Sequence, residues 1–450
     1  MPAAPTLSSP EAPSPRQILG MCGTAFAALV TEPLFLLADS AIVGHLGTDP
    51  LAALGIASAL LGGLVSVCIF LAYGTTATVA RFAGAGRMSE AITRGVDGIW
   101  LATGLGVVIT AVALPLTPRL VAAFGSSPAV DALAEEYLRV AWWGAVPMLV
   151  LLAAVGTLRG LTDLRTPMYV AIGANLANIV ANLVLVYGAG PVPRLGIAGS
   201  AWGSLIAQTA GTLVLVTVVL GRARSSRASV RPSGTGIGGA ILTGVPLLIR
   251  TVLLRAALIL MVWAAARLEP VDLAAMQLAL TLWSFLAYTL DALGITAQTL
   301  VGNALGRGDP AATRALADRF VLWGLGFGVA TGVVLFAVAP FVGDLFTTDP
   351  DVRRLMPALL VIAALTQPVA GIVFALDGIL IGADDGRFLA LAQAIVLVMF
   401  VPALAWVVTG HHGVRALWLA FAIAFMGART VVLWWRERTS AWLAAPTLSR

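Results

Sequence analysis

From Ile18 to Val43 the chain is apolar almost without interruption, a run long enough at about 1.5 Å per residue to cross a hydrocarbon layer of about 30 Å. Eleven further runs of the same character follow it. Only helices and closed barrels satisfy every backbone N–H and C=O in lipid, and these runs lack the alternation of a barrel. The expected fold class is therefore an all-α polytopic membrane protein. Composition agrees, with 59% of the 450 residues apolar and 11% charged, where soluble domains carry about 25% charged residues.

The twelve transmembrane helices are expected near 17–44, 50–80, 93–116, 129–158, 165–188, 197–221, 237–267, 271–304, 313–343, 352–381, 387–409 and 414–436. An even number puts both termini on one side of the membrane. There is no Lys, so the net charge of +5 comes from Arg, set in short loops that read as topology signals rather than as a nucleic-acid face. With the N-terminus inside, inner segments hold 18 Arg and outer loops 6, which predicts a cell-membrane protein with both termini cytoplasmic. Residues 1–16, rich in Pro, Ala and Ser, are expected as a disordered cytoplasmic tail, and residues 441–450 as a second cytoplasmic tail.

The longest polar interruption, GRARSSRASVRPSGTG, ends the first half and is expected as a flexible cytoplasmic linker over 222–236. It divides an N-lobe (17–221) from a C-lobe (237–440). The halves are related: FGSSPAV (124–130) matches FTTDPDV (346–352) and LRGLTDLR (158–165) matches LIGADDGR (380–387), both shifted by 222. A third pair aligns Gly86-Arg87 with Gly306-Arg307 at a shift of 220. Each half has six helices, so the two insert the same way up, a parallel pseudo-repeat around a central cleft.

Ionisable and amide side chains inside such spans are expensive and point to function. Asp39 lies in the first span, six residues after Pro33, whose missing N–H should bend the helix. Asn175, Asn178 and Asn182 share one face of the fifth span at i, i+3 and i+7. In the second half, Asp291 and Gln298 share a face of the eighth span, and Asp377 lies in the tenth. Arg250 and Arg255 are the expected counter-ions, a structural ion pair being the plain alternative for Asp291. Asp377 has no basic residue near it in sequence before Arg387 and reads as the freer acid. Tyr73 and Tyr288 are expected to line the cleft with Asn175 and Gln298, and Tyr137 is a further candidate. Cys22 and Cys68 read as packing thiols. No HExxH, GxSxG or Walker sequence is present, so neither an enzyme nor an ATP motor is expected.

Taken in order, LLADSAIVGHLG (36–47), TLRGLTDLRTPM (157–168), NLANIVANLVLVYG (175–188), AGSAWGSLIAQ (198–208), TAQTLVGNALGRGD (296–309) and ALDGILIGADD (375–385) resemble the multidrug and toxic compound extrusion (MATE) transporters, in their DinF-like branch. The resemblance implies two six-helix lobes around a V-shaped cleft, and antiport of organic, often cationic, compounds against H⁺ or Na⁺. It implies a coupling acid at Asp39, a polar pair at Asn178 and Asn182, and further coupling acids at Asp291 and Asp377. Two departures matter: Asn182 and Gln298 stand where relatives often carry an acid. Both remove charge, which favours H⁺, although Asp39, Asn178 and Asn182 are the residues that would hold a Na⁺. No other cofactor is implied. The partners expected are a small organic substrate and the bilayer, with the chain working as a monomer. The alternative is a flippase for lipid-linked precursors, which would need cleft arginines, with Arg139, Arg250 and Arg255 as candidates.

Overall fold

The computed structural model describes residues 13–443. Among them are twelve helices long and apolar enough to cross a membrane: α1 (Pro15–Gly44), α2 (Thr48–Gly84), α3 (Met88–Ala122), α4 (Pro128–Gly160), α5 (Arg165–Tyr187) and α6 (Gly196–Ser225), then α7 (Gly234–Ala265), α8 (Pro270–Gly306), α9 (Pro310–Phe346), α10 (Pro350–Gly382), α11 (Gly386–Thr409) and α12 (Gly413–Arg438). Their bounds lie within a few residues of those read from hydropathy. Three irregularities were not expected: a break in α2 at Ile69, a 3₁₀ turn in α4 at Trp142–Gly144, and a π-helical stretch in α12 at Phe421–Gly427. Helix α1 begins at Pro15, capped by Ser14 with a reciprocal bond to Gln17, so the expected tail is already ordered there. The rest of that tail, 1–12, and residues 444–450 lie outside the described residues.

The internal repeat is visible in the backbone. Landmarks FGSSPAV and FTTDPDV are helix starts, with Ser127 and Asp349 as N-caps and Pro128 and Pro350 at the first helical position. Landmarks LRGLTDLR and LIGADDGR are tight turns in which Thr162 and Asp384 both take φ of 62°. The third landmark needs correction. Gly86 corresponds to Gly308, not Gly306, since both have φ of 74° and follow helices that end at Gly84 and Gly306. All three landmarks then share one shift of 222.

The same relation sets the charge pattern of the turns. Asp163 pairs with Arg222 of α6, and its equivalent Asp385 pairs with Arg436 of α12 at 2.7 Å. Each pair fastens the turn after a lobe's fourth helix to that lobe's last helix. Burial pushes the Asp163 carboxyl up, but the Thr166 amide and hydroxyl with Arg222 outweigh it and hold Asp163 below the usual carboxylate range.

Helices α1–α6 form one lobe and α7–α12 the other. The two lobes, arranged around a V-shaped cleft, meet where α8 packs on α1 and α2 near the face that carries the chain ends. Near the terminal face Arg81 of α2 pairs with Asp384 at 2.9 Å, and Asn303 donates to the Gly160 carbonyl at 3.2 Å. Burial pushes the Asp384 carboxyl above its ordinary range against the pull of Arg81. Here α2 and α8 cross in backbone contact. A Cβ added at Gly84 would come within 2.0 Å of the Asn303 carbonyl oxygen, and one at Gly306 within 2.0 Å of the Arg81 carbonyl oxygen. Without a hydrophobic drive between helices in lipid, close approach over small residues supplies the packing.

The segment between Ser225 and Gly234 is shorter than the expected linker and is held against α3 rather than loose. Ser229 N–H donates to Thr93 at 3.1 Å, Trp100 donates to the Val230 carbonyl at 3.1 Å, and Ser233 N–H donates to Asp97 at 3.0 Å.

The crossing gives a first prediction. Overpacking costs about 1–3 kcal/mol, about 5–150-fold in the ratio of parted to closed lobes. Gly306→Val in a Cys68→Ser background should therefore raise maleimide labelling of Cys22, which is buried where α1 meets α8 of the other lobe, with its thiol 3.5 Å from the Thr296 hydroxyl. An unchanged labelling rate would mean that the crossing does not hold this face shut.

Candidate functional site

Asp39 is 3% exposed and lies inside the N-lobe among α1, α5 and α6. Its Oδ1 accepts from Asn182 Nδ2 at 2.8 Å and from Ser200 Oγ at 2.5 Å. The contacts continue along α5, where Asn182 also donates to Asn178 Oδ1 at 3.1 Å and Asn178 donates to Ser204 Oγ at 3.0 Å. Buried Tyr137 of α4 faces Ser200, Ser204 and Asp39, so it belongs to this network and not to the cleft wall. No ion pair to Asp39 occurs among the described residues; its partners are neutral hydroxyl and amide groups. The network exists because Asn178 and Asn182 are one turn apart, as are Ser200 and Ser204, and because α6 carries a glycine opposite them. A Cβ at Gly203 would lie 2.0 Å from Asn182 Oδ1, an oxygen that has no hydrogen-bond partner among the described residues.

Asn175, the third member of the α5 stripe, does something else. It donates to the Thr31 carbonyl at 2.9 Å and ties α5 to α1 two residues before Pro33, through which α1 continues as helix. Its role in the structure is an interhelical bond.

The C-lobe acids are arranged differently from expectation. Asp377 is not free: its Oδ2 accepts from Arg250 Nη2 at 2.7 Å and from Arg429 Nη2. Arg429, expected in an inner segment, lies in α12 and is 5% exposed. Two guanidiniums on one carboxylate leave a net positive cluster, which does not suit a cation. Arg250 is thereby engaged by Asp377 and not by Asp291. Asp291 instead faces Arg159 of the N-lobe first and Arg250 second, with no ion pair closed among the described residues. Gln298, expected on the cleft wall, is 2% exposed and donates to the Tyr73 carbonyl at 2.7 Å, which joins α8 to α2. Tyr73 is half-buried near Asp291 and Arg159. Tyr288 is half-buried and faces Glu32 and Arg255.

Sequence reading gave no site role to five residues that these contacts bring forward: Glu32, Arg159, Ser200, Ser204 and Arg429. Glu32 and Arg429 carried a readable signal, a charge inside a predicted span. The serines carried none beyond their spacing.

The comparisons with known proteins agree with this architecture. The MatE family model matches residues 25–184 and 246–407, one block in each lobe, beginning 221 residues apart. The chain is 29% identical to protein DETOXIFICATION 44, chloroplastic, of Arabidopsis thaliana over 95% of its own length and 83% of that protein. It is 27% identical to DNA damage-inducible protein F of Escherichia coli strain K12, over 92% of this chain and 91% of that one. Among solved structures, a multidrug resistance MATE family transporter of the MOP superfamily in an outward-facing conformation superposes with a TM-score of 0.85 at 22% identity, covering 96% of this chain and 97% of the other.

Proposed function

Because the chain belongs to the MatE family of multi-pass membrane transporters, we propose that it is a secondary active antiporter that exports organic compounds in exchange for H⁺, with Asp39 as the coupling carboxyl. The observation that carries this reading is the environment of Asp39: a buried carboxyl that accepts from the neutral donors Asn182 and Ser200, with no guanidinium paired to it among the described residues. Such a group changes the electrostatics of its lobe whenever it gains or loses a proton. In the proposed cycle a proton taken from outside neutralises Asp39, loosens the Asn182 and Ser200 bonds, and repacks α1 around Pro33. The repacking releases substrate outward. The lobes then close outside, the proton leaves to the cytoplasm, and ionised Asp39 again favours a substrate that carries positive charge. Proton and substrate exclude one another, which is the linkage an antiporter needs.

The donor set is the argument for H⁺ over Na⁺. One carboxylate whose Oδ1 already takes two donors, and one spare amide oxygen on Asn182, offer a hard cation few ligands. The arginine-rich inner segments support a cell-membrane location with both termini cytoplasmic, and nothing in the cycle needs a second copy or a cofactor. A lipid-linked flippase would draw on Arg139, Arg250 and Arg255. Arg139 sits beside Glu135 at 3.3 Å and Arg250 is engaged by Asp377, so one guanidinium remains.

The test is dye uptake into inverted membrane vesicles under imposed gradients. A pH difference alone should drive it and a Na⁺ gradient at equal pH should not. Sodium-driven uptake without a pH difference would overturn the proton assignment.

A further inference from the structure

A cavity of about 230 Å³ lies between the lobes near the face that carries the chain ends, walled by α2 and α3 of the N-lobe and by α7 and Asp384 of the C-lobe. Its polar lining has hydrogen-bonding capacity to spare. The hydroxyls of Thr75, Thr78 and Thr243 make no hydrogen bond among the described residues, whereas the adjacent Thr76 returns its own to the Ala72 carbonyl at 2.8 Å. The Arg94 side chain, 32% exposed, makes no hydrogen bond there either; it lies 3.5 Å from Asp97 Oδ2 and over the Phe82 ring. The nearby carboxylates have other partners, Asp384 in Arg81 at 2.9 Å and Asp97 Oδ1 in the Ser233 N–H at 3.0 Å. A glycine keeps the lining open, since a Cβ at Gly98 would lie 2.9 Å from Thr75 Oγ1.

The internal repeat shows that this hollow does not follow from the fold. Under the shift of 222, Thr75, Thr78, Arg94 and Gly98 correspond to Ala297, Leu300, Leu316 and Phe320. In that seam Ala297, Leu316 and Phe320 are buried and Leu300 packs against the same apolar core. One backbone arrangement is filled with hydrocarbon in one half and lined with donors in the other.

We propose that this cavity binds a phosphoryl group, as inorganic phosphate or as the headgroup of an anionic phospholipid, with Arg94 and the three threonine hydroxyls as donors. A guanidinium matches phosphate geometry, and donors arriving from four side chains suit a tetrahedral group with three or four acceptor oxygens better than a planar carboxylate with two. Basic pockets between membrane helices near one face also take phospholipid headgroups. The donors come from both lobes: Thr75, Thr78 and Arg94 from the first, Thr243 from the second. A bound phosphoryl group therefore bridges the lobes and favours the state in which this face is joined, by as much as it binds that state more tightly than the parted one. The proposal depends neither on the coupling ion nor on the exported compound.

The experiment places the full chain, in the Cys68→Ser background, in nanodiscs of phosphatidylcholine and dialyses it against radiolabelled inorganic phosphate at constant ionic strength, with chloride as the balancing salt. One phosphate should bind per chain, and its binding should slow maleimide labelling of Cys22. A charge-assisted hydrogen bond is worth about tenfold or more in affinity, so Arg94→Gln should weaken binding at least about tenfold, and Arg94→Lys, which keeps the charge and loses the fork, should weaken it less. Thr78→Leu, which copies Leu300 of the packed seam, tests the cavity without touching a charge and should also weaken binding. Nanodiscs containing phosphatidylglycerol separate the two sources. Loss of bound phosphate there, with Cys22 still protected, assigns the site to a headgroup, and undiminished phosphate binding assigns it to the free anion. Phosphate binding of equal strength in Arg94→Gln overturns the proposal. So does Cys22 labelling that responds neither to phosphate nor to phosphatidylglycerol.

Discussion

Asp39→Asn is expected to reduce pH-driven export to background while the protein still folds. Asparagine is close in shape, and its carbonyl oxygen can still accept from Ser200 and Asn182, so the N-lobe network keeps its donors' partner. What it cannot do is change charge. A pH difference of one unit supplies about 1.4 kcal/mol per proton moved, and a lobe with no titrating group has no way to draw on it. In inverted vesicles, dye uptake by the unaltered protein should rise with the imposed pH difference, whereas uptake by the variant should be flat. A gradient response of ordinary size in Asp39→Asn would falsify the assignment. Thermal unfolding followed by tryptophan fluorescence should change little, which separates lost coupling from lost structure.

Asp377→Asn should have the opposite signature. Its carboxylate is the shared partner of Arg250 and Arg429, both mostly buried, and removing it leaves two guanidiniums facing each other without an anion. Breaking a buried pair by deleting one side costs about 3–5 kcal/mol, so the thermal unfolding midpoint should drop markedly. A triple apolar replacement, Arg250→Met with Asp377→Leu and Arg429→Met, removes all three charges together and should recover most of that stability. Transport by the triple variant is expected to remain coupled to the pH difference. If Asp377 itself carried protons, the triple variant would be stable and uncoupled, and Asp377→Asn would be inactive at undiminished stability.

The comparison of these two acids also marks what a sequence makes legible. Both appear as a charge in an apolar run, and spacing along one helix places Asn178 and Asn182 on a common face. Local pattern likewise gives the twelve spans, their caps and the duplicated turns, because those depend on residues within a few positions of each other. The partner of an acid is a tertiary fact. Arg429 lies 52 positions from Asp377, and the helix pairing that joins them is not written in either segment. It was visible only as an arginine 15 residues beyond the start of the predicted span at 414, a cue that topology counting absorbed as an inner charge. The same limit let Gln298 pass for a cleft residue: nothing near it announces that α8 lies on the Tyr73 carbonyl. Glu32 is a different failure, since it stands beside Pro33 in the stretch already singled out and was overshadowed by Asp39.

The crossing of α2 and α8 has one more consequence. The carbonyls of Arg81 and Asn303 are 222 positions apart, as are Gly84 and Gly306, so each half contributes one bare spot and one oxygen to the same joint. Neither member can let go while its counterpart stays seated. Substitutions at the two glycines should consequently act on one shared event, and combining them should give much less than the product of their separate effects.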